Sequence, residues 1–89
     1  MKAYYTYILR CQDNSLYTGY TDNVEKRLAT HNEGKGAKYT RGRLPVGLVY
    51  CEEFPERSAA IKREIEIKKL TKAEKEMLVN GESKKSGLK

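Results

Sequence analysis

Arg27 and His31 stand one turn apart on a stripe whose other members, Val24 and Leu28, are apolar. At a helical period of 3.6 residues, such a stripe is the face that packs against a core. A guanidinium there either covers apolar surface with its stem and pairs with a carboxylate, or meets an anion. An imidazole there is either a satisfied, half-buried histidine or a group that line a site and move protons. Further along, Glu64 falls near the middle of an arc formed by Ala60, Ile61, Ile65 and Ile67, whereas Glu66 points the other way. A carboxylate buried without a partner is heavily penalised or stays protonated, so Glu64 needs a cation: Arg27, a lysine or a divalent metal. A structural ion pair meets that need. So does Mg²⁺ held by one carboxylate, with waters and a phosphate oxygen completing its shell.

The chain has seven tyrosines and no tryptophan in 89 residues. Tyr5 and Tyr7 share one strand face, and Tyr4 lies on the other. Tyr17 and Tyr20 lie on opposite faces of the next strand. Most such rings simply pack the core. Whether Tyr7 and Tyr17 meet depends on the parity of the loop between their strands. A two-residue turn at Asp13-Asn14 puts them on opposite faces, and a three-residue loop with Asn14 or Ser15 left-handed puts them on the same face. Cys11 and Cys51 lack CxxC spacing and basic neighbours, and are expected to be small buried hydrophobes. Gly34 and Gly36 make no phosphate loop, because no strand leads into them and no GK[ST] follows.

These residues need a scaffold, and 89 residues suffice for one domain. Residues 4–11 and 16–21 read as strands joined in a hairpin through Asp13-Asn14-Ser15. Asp22 and Glu25 resemble a capping box that opens a helix over 23–33, which Gly34 ends. Residues 34–45 form a Gly-rich basic loop with room for a short helical turn. A third strand over 46–54 is apolar on both faces at its centre and is expected to be covered on both sides. Pro55 closes it. A helix runs from Ser58 to about Leu70, and Thr71 and Glu74 cap another that ends before Gly81. Residues 1–81 thus form a single domain, with 82–89 a basic tail too poor in apolar residues to order itself. The order β-β-α-β-α-α predicts an α+β fold, a three-stranded, mostly antiparallel sheet flanked by helices.

The formal net charge is +6, from 18 Lys+Arg and 12 Asp+Glu. It is concentrated in residues 23–45 and 68–89, each with a surplus of four, while 1–22 is neutral and 46–67 is net acidic. Such blocks suit a polyanion, and equally a well-solvated surface. The N-terminal run AYYTYIL is broken by Arg10 and lacks a small-residue cleavage site, so no signal peptide is expected. No apolar stretch approaches the roughly 18 residues of a membrane span. The default expectation is a reduced, soluble, cytoplasmic protein with no membrane partner.

Tyr5-Thr6-Tyr7, followed after a gap by Tyr17-Thr18-Gly19, resembles the paired motif of the GIY-YIG nucleases. Arg27-x-x-x-His31 is similar to that family's Arg-x3-His/Tyr element, and Glu64 in REIEIKKL is similar to its metal-binding glutamate. The resemblance covers residues 4–70, with further similarity in KYTRGRLPVGLVY. It implies a three-stranded antiparallel sheet flanked by helices and metal-dependent hydrolysis of DNA phosphodiesters. By position, Tyr7 and Tyr17 would contact the attacking water and the scissile phosphate, one of them as general base. Arg27 would stabilise phosphoryl charge, His31 would assist proton transfer or orient a phosphate, and Glu64 would hold a single Mg²⁺ or Mn²⁺. A tyrosine of pKa about 10 is a poor base unless a cation lowers it, which Arg27 and the metal could do. The resemblance also implies the three-residue hairpin loop. Tyr5, Thr6 and Thr18 depart from the motif at positions of shape. Asn80 is the only candidate for a late asparagine that many members carry.

Three functions follow from these residues. The first is a low-specificity endonuclease acting on DNA, branched, damaged or single-stranded, with a protein partner as one source of specificity. Lys35, Lys38, Arg41 and Arg43, with Tyr39 among them, would then grip the backbone. The second is a nucleic-acid-binding module that uses the same basic loop and tyrosine stacking without cutting. The third is an adaptor for another protein. Divalent-metal dependence separates the first from the second, and loss of affinity with salt separates the second from the third.

Overall fold

The computed structural model describes residues 2–81; the tail expected at 82–89 lies outside them. Strand β1 (Tyr4–Arg10) and strand β2 (Leu16–Thr21) form an antiparallel hairpin. The chain reverses through Gln12-Asp13-Asn14. The Cys11 N–H donates to the Ser15 carbonyl at 2.9 Å, and Asn14 has φ 71°, the left-handed conformation that asparagine tolerates. The Asp13 carboxylate accepts the Ser15 N–H at 3.0 Å and steadies the turn. Three loop residues set the register: Leu9 faces Tyr17 and Tyr7 faces Gly19. Tyr7 and Tyr17 therefore share a face.

Strand β3 (Gly47–Phe54) pairs antiparallel with the other edge of β1, so the sheet order is β2-β1-β3. Central β1 buries Thr6, Tyr7, Ile8 and Leu9 in succession because helices cover both its faces. On one face Tyr7, Leu9, Cys11 and Val46 pack with Tyr17, Leu28 and Leu44. Here α1 (Val24–Asn32) and the short α2 (Lys38–Arg41) lie. On the other, Ile8, Leu16, Ile67 and Leu78 join α3 (Arg57–Lys68) and α4 (Lys72–Val79) to the sheet. The buried Thr6 hydroxyl donates to the Ala60 carbonyl at 2.7 Å and pins α3 to β1. The expected α+β architecture is thus the observed one.

Local details correct the sequence reading at several points. Asn23, not Asp22, caps α1, its side chain accepting the Lys26 N–H at 3.0 Å, while Asp22 pairs with Lys2. Strand β3 is not covered on both sides. Leu48 is 41% exposed and Cys51 is also exposed, because α1 and α2 lie over β1 and β2 and leave the outer strand open on that face. Cys11 is buried as expected. Ile65, assigned to the apolar arc of α3, is half exposed, since α3 packs through Ala60 and Ile67. The capping box of Thr71 and Glu74 forms as expected. Among the described residues no helix is long and apolar enough to cross a membrane.

Candidate active site

Tyr7 is 3% exposed and its ring lies across β2 at Gly19. A Cβ at position 19 would stand 2.6 Å from the Tyr7 hydroxyl, so the glycine makes room for the phenol. That hydroxyl meets His31 Nε2 at 3.1 Å, and His31 Nδ1 meets the Thr40 hydroxyl at 2.9 Å. All three side chains are buried. The Thr40 hydroxyl has one proton and gives it to the Ala37 carbonyl at 2.9 Å. It must therefore accept from His31, which fixes the proton on Nδ1 and leaves the Nε2 lone pair facing Tyr7. Tyr7 donates and His31 accepts. Burial, and after it the charge of Arg27, pushes the imidazole's pKa below its ordinary value, in keeping with a neutral acceptor. Gly36 completes the pocket: any side chain there would collide with the His31 ring.

Tyr17 flanks this pair, its ring centroid 6.5 Å from that of Tyr7 and 5.3 Å from that of His31. Tyr39 of α2 stacks on Tyr17 at 6.0 Å with the planes 25° apart, and the Arg43 guanidinium sits 4.0 Å from the Tyr39 ring centre. Arg27 by itself does not bring the pKa of Tyr7 below its ordinary value. Burial raises its pKa far above 10, with Tyr17 and the charge of Glu64 adding to the effect; Arg27 lowers it by less. Tyr7 is thus a protonated phenol, because desolvation outweighs the cation.

Arg27 is exposed rather than inward: it leaves the stripe of Val24, Leu28 and His31 at its edge and lines a surface cleft. Its charge still reaches Tyr7 and His31. Glu64 on α3 is 18% exposed, and its carboxylate lies 3.1 Å from Lys68 one turn on. The cation that its position requires is therefore a lysine, itself half exposed. No group of three His, Cys, Asp or Glu side chains that could hold a metal exists among the described residues. A hard, single carboxylate with so exposed a partner does not fit a metal held by protein alone. It fits one that fills its remaining positions with water and substrate phosphate oxygens.

Lys35, Lys38 and Arg41 are exposed around α2, with no ion pair among the described residues. Arg43 is not free in this way. Its Nε donates to Asp13 at 2.9 Å and its Nη1 to the Tyr39 carbonyl at 2.6 Å, which joins the hairpin loop to α2. Asn80 ends α4 as an exposed C-cap. Sequence reasoning missed Thr40 and the roles of Gly19 and Gly36. Thr40 follows His31 by nine residues across a non-repetitive loop, so no periodicity marks it, whereas Gly19 carried a signal in lying within the tyrosine motif.

Residues 3–77 match the GIY-YIG catalytic domain. The chain is 59% identical over 80 residues to a UPF0213 protein of Natronomonas pharaonis, covering 90% of this chain and 94% of that one. It is 60% identical over 75 residues to a UPF0213 protein of Staphylococcus haemolyticus, covering 84% and 92%. Two solution NMR structures are similar. One, a UPF0213 protein from Bacillus halodurans, is 50% identical with TM-score 0.57 and covers 88% of this chain and 83% of that one. The other, from E. faecalis, is 48% identical with TM-score 0.61 and covers 90% and 85%.

Proposed function

Because this chain belongs to the GIY-YIG family of nuclease domains, we propose that it hydrolyses DNA phosphodiester bonds in a divalent-metal-dependent reaction of low sequence specificity. The observation that carries this reading is the one-way hydrogen-bond chain from Tyr7 through His31 to Thr40. Hydrolysis requires a base to take a proton from water as its oxygen attacks phosphorus. Tyr7 takes that proton on its oxygen while giving its own to His31 Nε2. The water O–H, the original Tyr7 O–H and the scissile P–O bond break; a P–O bond to the water oxygen and a new Tyr7 O–H form. The leaving oxygen takes a proton from solvent, and His31 becomes an imidazolium whose Nδ1–H stays on Thr40. Tyr7 never has to persist as a phenolate, which its raised pKa would oppose.

Tyr17 orients the water or the phosphate beside Tyr7, and Arg27 meets the charge that develops on the phosphoryl oxygens. Glu64 would hold Mg²⁺ or Mn²⁺, with Lys68 moving aside into solvent. When bound, such a metal supplies Lewis-acid stabilisation of the phosphoryl and leaving oxygens. Lys35, Lys38 and Arg41 hold the strand, with Tyr39 kept beside them by Arg43. Three phosphate contacts give a log–log salt slope of roughly −2 to −3.

The test incubates wild type, Glu64→Ala and Tyr7→Phe with supercoiled, single-stranded and branched DNA, with Mg²⁺ or Mn²⁺ and EDTA controls. Metal-dependent cutting that both substitutions abolish is expected. No cutting by wild type, with salt-sensitive binding retained in both variants, would make the domain a binding module and the Glu64–Lys68 pair a structural one.

A further inference from the structure

Three arginines, Arg10, Arg43 and Arg63, are each anchored to a carboxylate, at 2.7, 2.9 and 3.1 Å. Arg27 and Arg57 form no ion pair among the described residues. Both line one cleft of about 140 Å³, together with Tyr4, Tyr20, Thr21 and Asp22. Among the described lining residues the one carboxylate, Asp22, pairs with Lys2 at 3.3 Å and also feels the charge of Arg57, without an ion-pair contact to either arginine. The Arg57 guanidinium sits 5.5 Å from the centre of the Tyr4 ring, which props it from one side. Two guanidiniums that share a concavity repel each other, and an anion between them relieves the repulsion. Their planar forks match paired oxygens such as those of a phosphodiester.

The cleft has a defined relation to Glu64. Arg57 and Glu64 both lie on α3, seven residues apart. Seven residues are nearly two full turns, so the two project from similar sides of the helix about 10 Å apart along its axis. A phosphate at Arg57 is therefore a neighbour of one at Glu64, not the same group. Arg27 joins the two places, since it lines the cleft while its charge reaches Tyr7.

The geometry points to a second phosphate subsite, built from Arg57 over Tyr4 and completed by Arg27, that grips a phosphodiester flanking the one being cut. The identity of its ligand rests on the nucleic-acid reading above. Arg57 is then a positioning residue. It touches no reacting atom and sets the side of the cut on which the strand is held.

Short single strands that fill the site once, each with one phosphate replaced by a neutral methylphosphonate, test this. They are titrated in EDTA, where nothing is cut, against wild type, Arg57→Ala and Arg57→Lys, with fluorescence anisotropy as the readout. Arg57→Ala is expected to weaken binding of the unmodified strand about tenfold and to lower the magnitude of the salt slope by about 0.7. One methylphosphonate position should weaken wild-type binding and leave Arg57→Ala unaffected, which a merely structural role would not produce. Arg57→Lys should keep the slope and recover only part of the affinity, since an ammonium lacks the guanidinium fork. Equal penalties at every position in wild type and Arg57→Ala would overturn the proposal. If wild type binds no strand at all, inorganic phosphate is titrated while the Arg57 Nε–H is followed by NMR. A saturable shift would support the anion subsite and remove only the nucleic-acid reading; an unmoved signal would overturn both.

Discussion

Replacing Thr40 by valine keeps the shape of the side chain and removes the oxygen that orients His31. Thr40 and His31 are 0% and 1% exposed, so water does not substitute for the lost acceptor. The His31 Nδ1–H, now bonded at 2.9 Å, is left buried and unpaired, at a cost of about 1–3 kcal/mol. The Ala37 carbonyl keeps the Thr40 backbone N–H at 3.1 Å, so the loss falls mainly on the histidine. For a domain of this size, about 2 kcal/mol lowers Tm by roughly 8–16 °C. Thr40→Ser keeps the hydroxyl and loses one methyl group, about 1 kcal/mol, and serves as the matched control. Thermal melts give the stability difference, and ¹⁵N spectra of the imidazole give the tautomer. Wild type and Thr40→Ser should carry the proton on Nδ1 at neutral pH, whereas Thr40→Val should lose that preference. Equal stability of the valine and serine variants, or an Nε2–H tautomer in wild type, would refute the direction assigned to the Tyr7–His31 hydrogen bond.

Gly19→Ala would place a Cβ 2.6 Å from the Tyr7 hydroxyl; a displacement of about 1 Å should lower cleavage on the order of 100-fold, read in single-turnover assays. Thr18 buries a hydroxyl with no hydrogen-bond partner among the described residues, so Thr18→Val should stabilise by about 1 kcal/mol in denaturant titrations. Glu76 receives two 2.7 Å bonds from Arg10, and these bonds, with Lys72, pull its pKa from 4.5 to about 2. Its contribution to stability is complete above 4.5 and disappears as pH falls towards 2. Glu76→Gln should therefore melt below wild type at neutral pH, with the gap closing in acid. His31 acts with the same sign nearer neutrality. Its pKa lies below 6.5, so stability tied to it is complete above that pH and falls as the solution is acidified past the folded value, which NMR titration of the ring would locate.

Sequence periodicity was enough to place the helices and the hairpin, because caps and turns depend on neighbours a few residues away. Thr71 and Glu74 close their capping box wherever that helix packs. The same local reasoning found His31 on an inward stripe and Glu64 among apolar neighbours, yet it overstated how far the stripe carried Arg27 inward and Ile65 into the core. A stripe defines a direction around the helix, whereas depth depends on what lies opposite. The outward side of β3 was illegible for a related reason: its residues are apolar in sequence, and only its place at the edge of the sheet exposes Leu48. Residue types and spacing alone determined the α+β class, the candidate tyrosines, Arg27, His31 and Glu64, and the resemblance that joined them. Tertiary structure decided that Tyr7 and Tyr17 share a face, through one left-handed residue at Asn14. It also decided that His31 accepts from Tyr7, through a threonine brought back against the ring for which Gly36 makes room. Both depend on the parity of a loop and on contacts between distant segments, where one residue more or less reverses a face and close packing leaves a single proton arrangement.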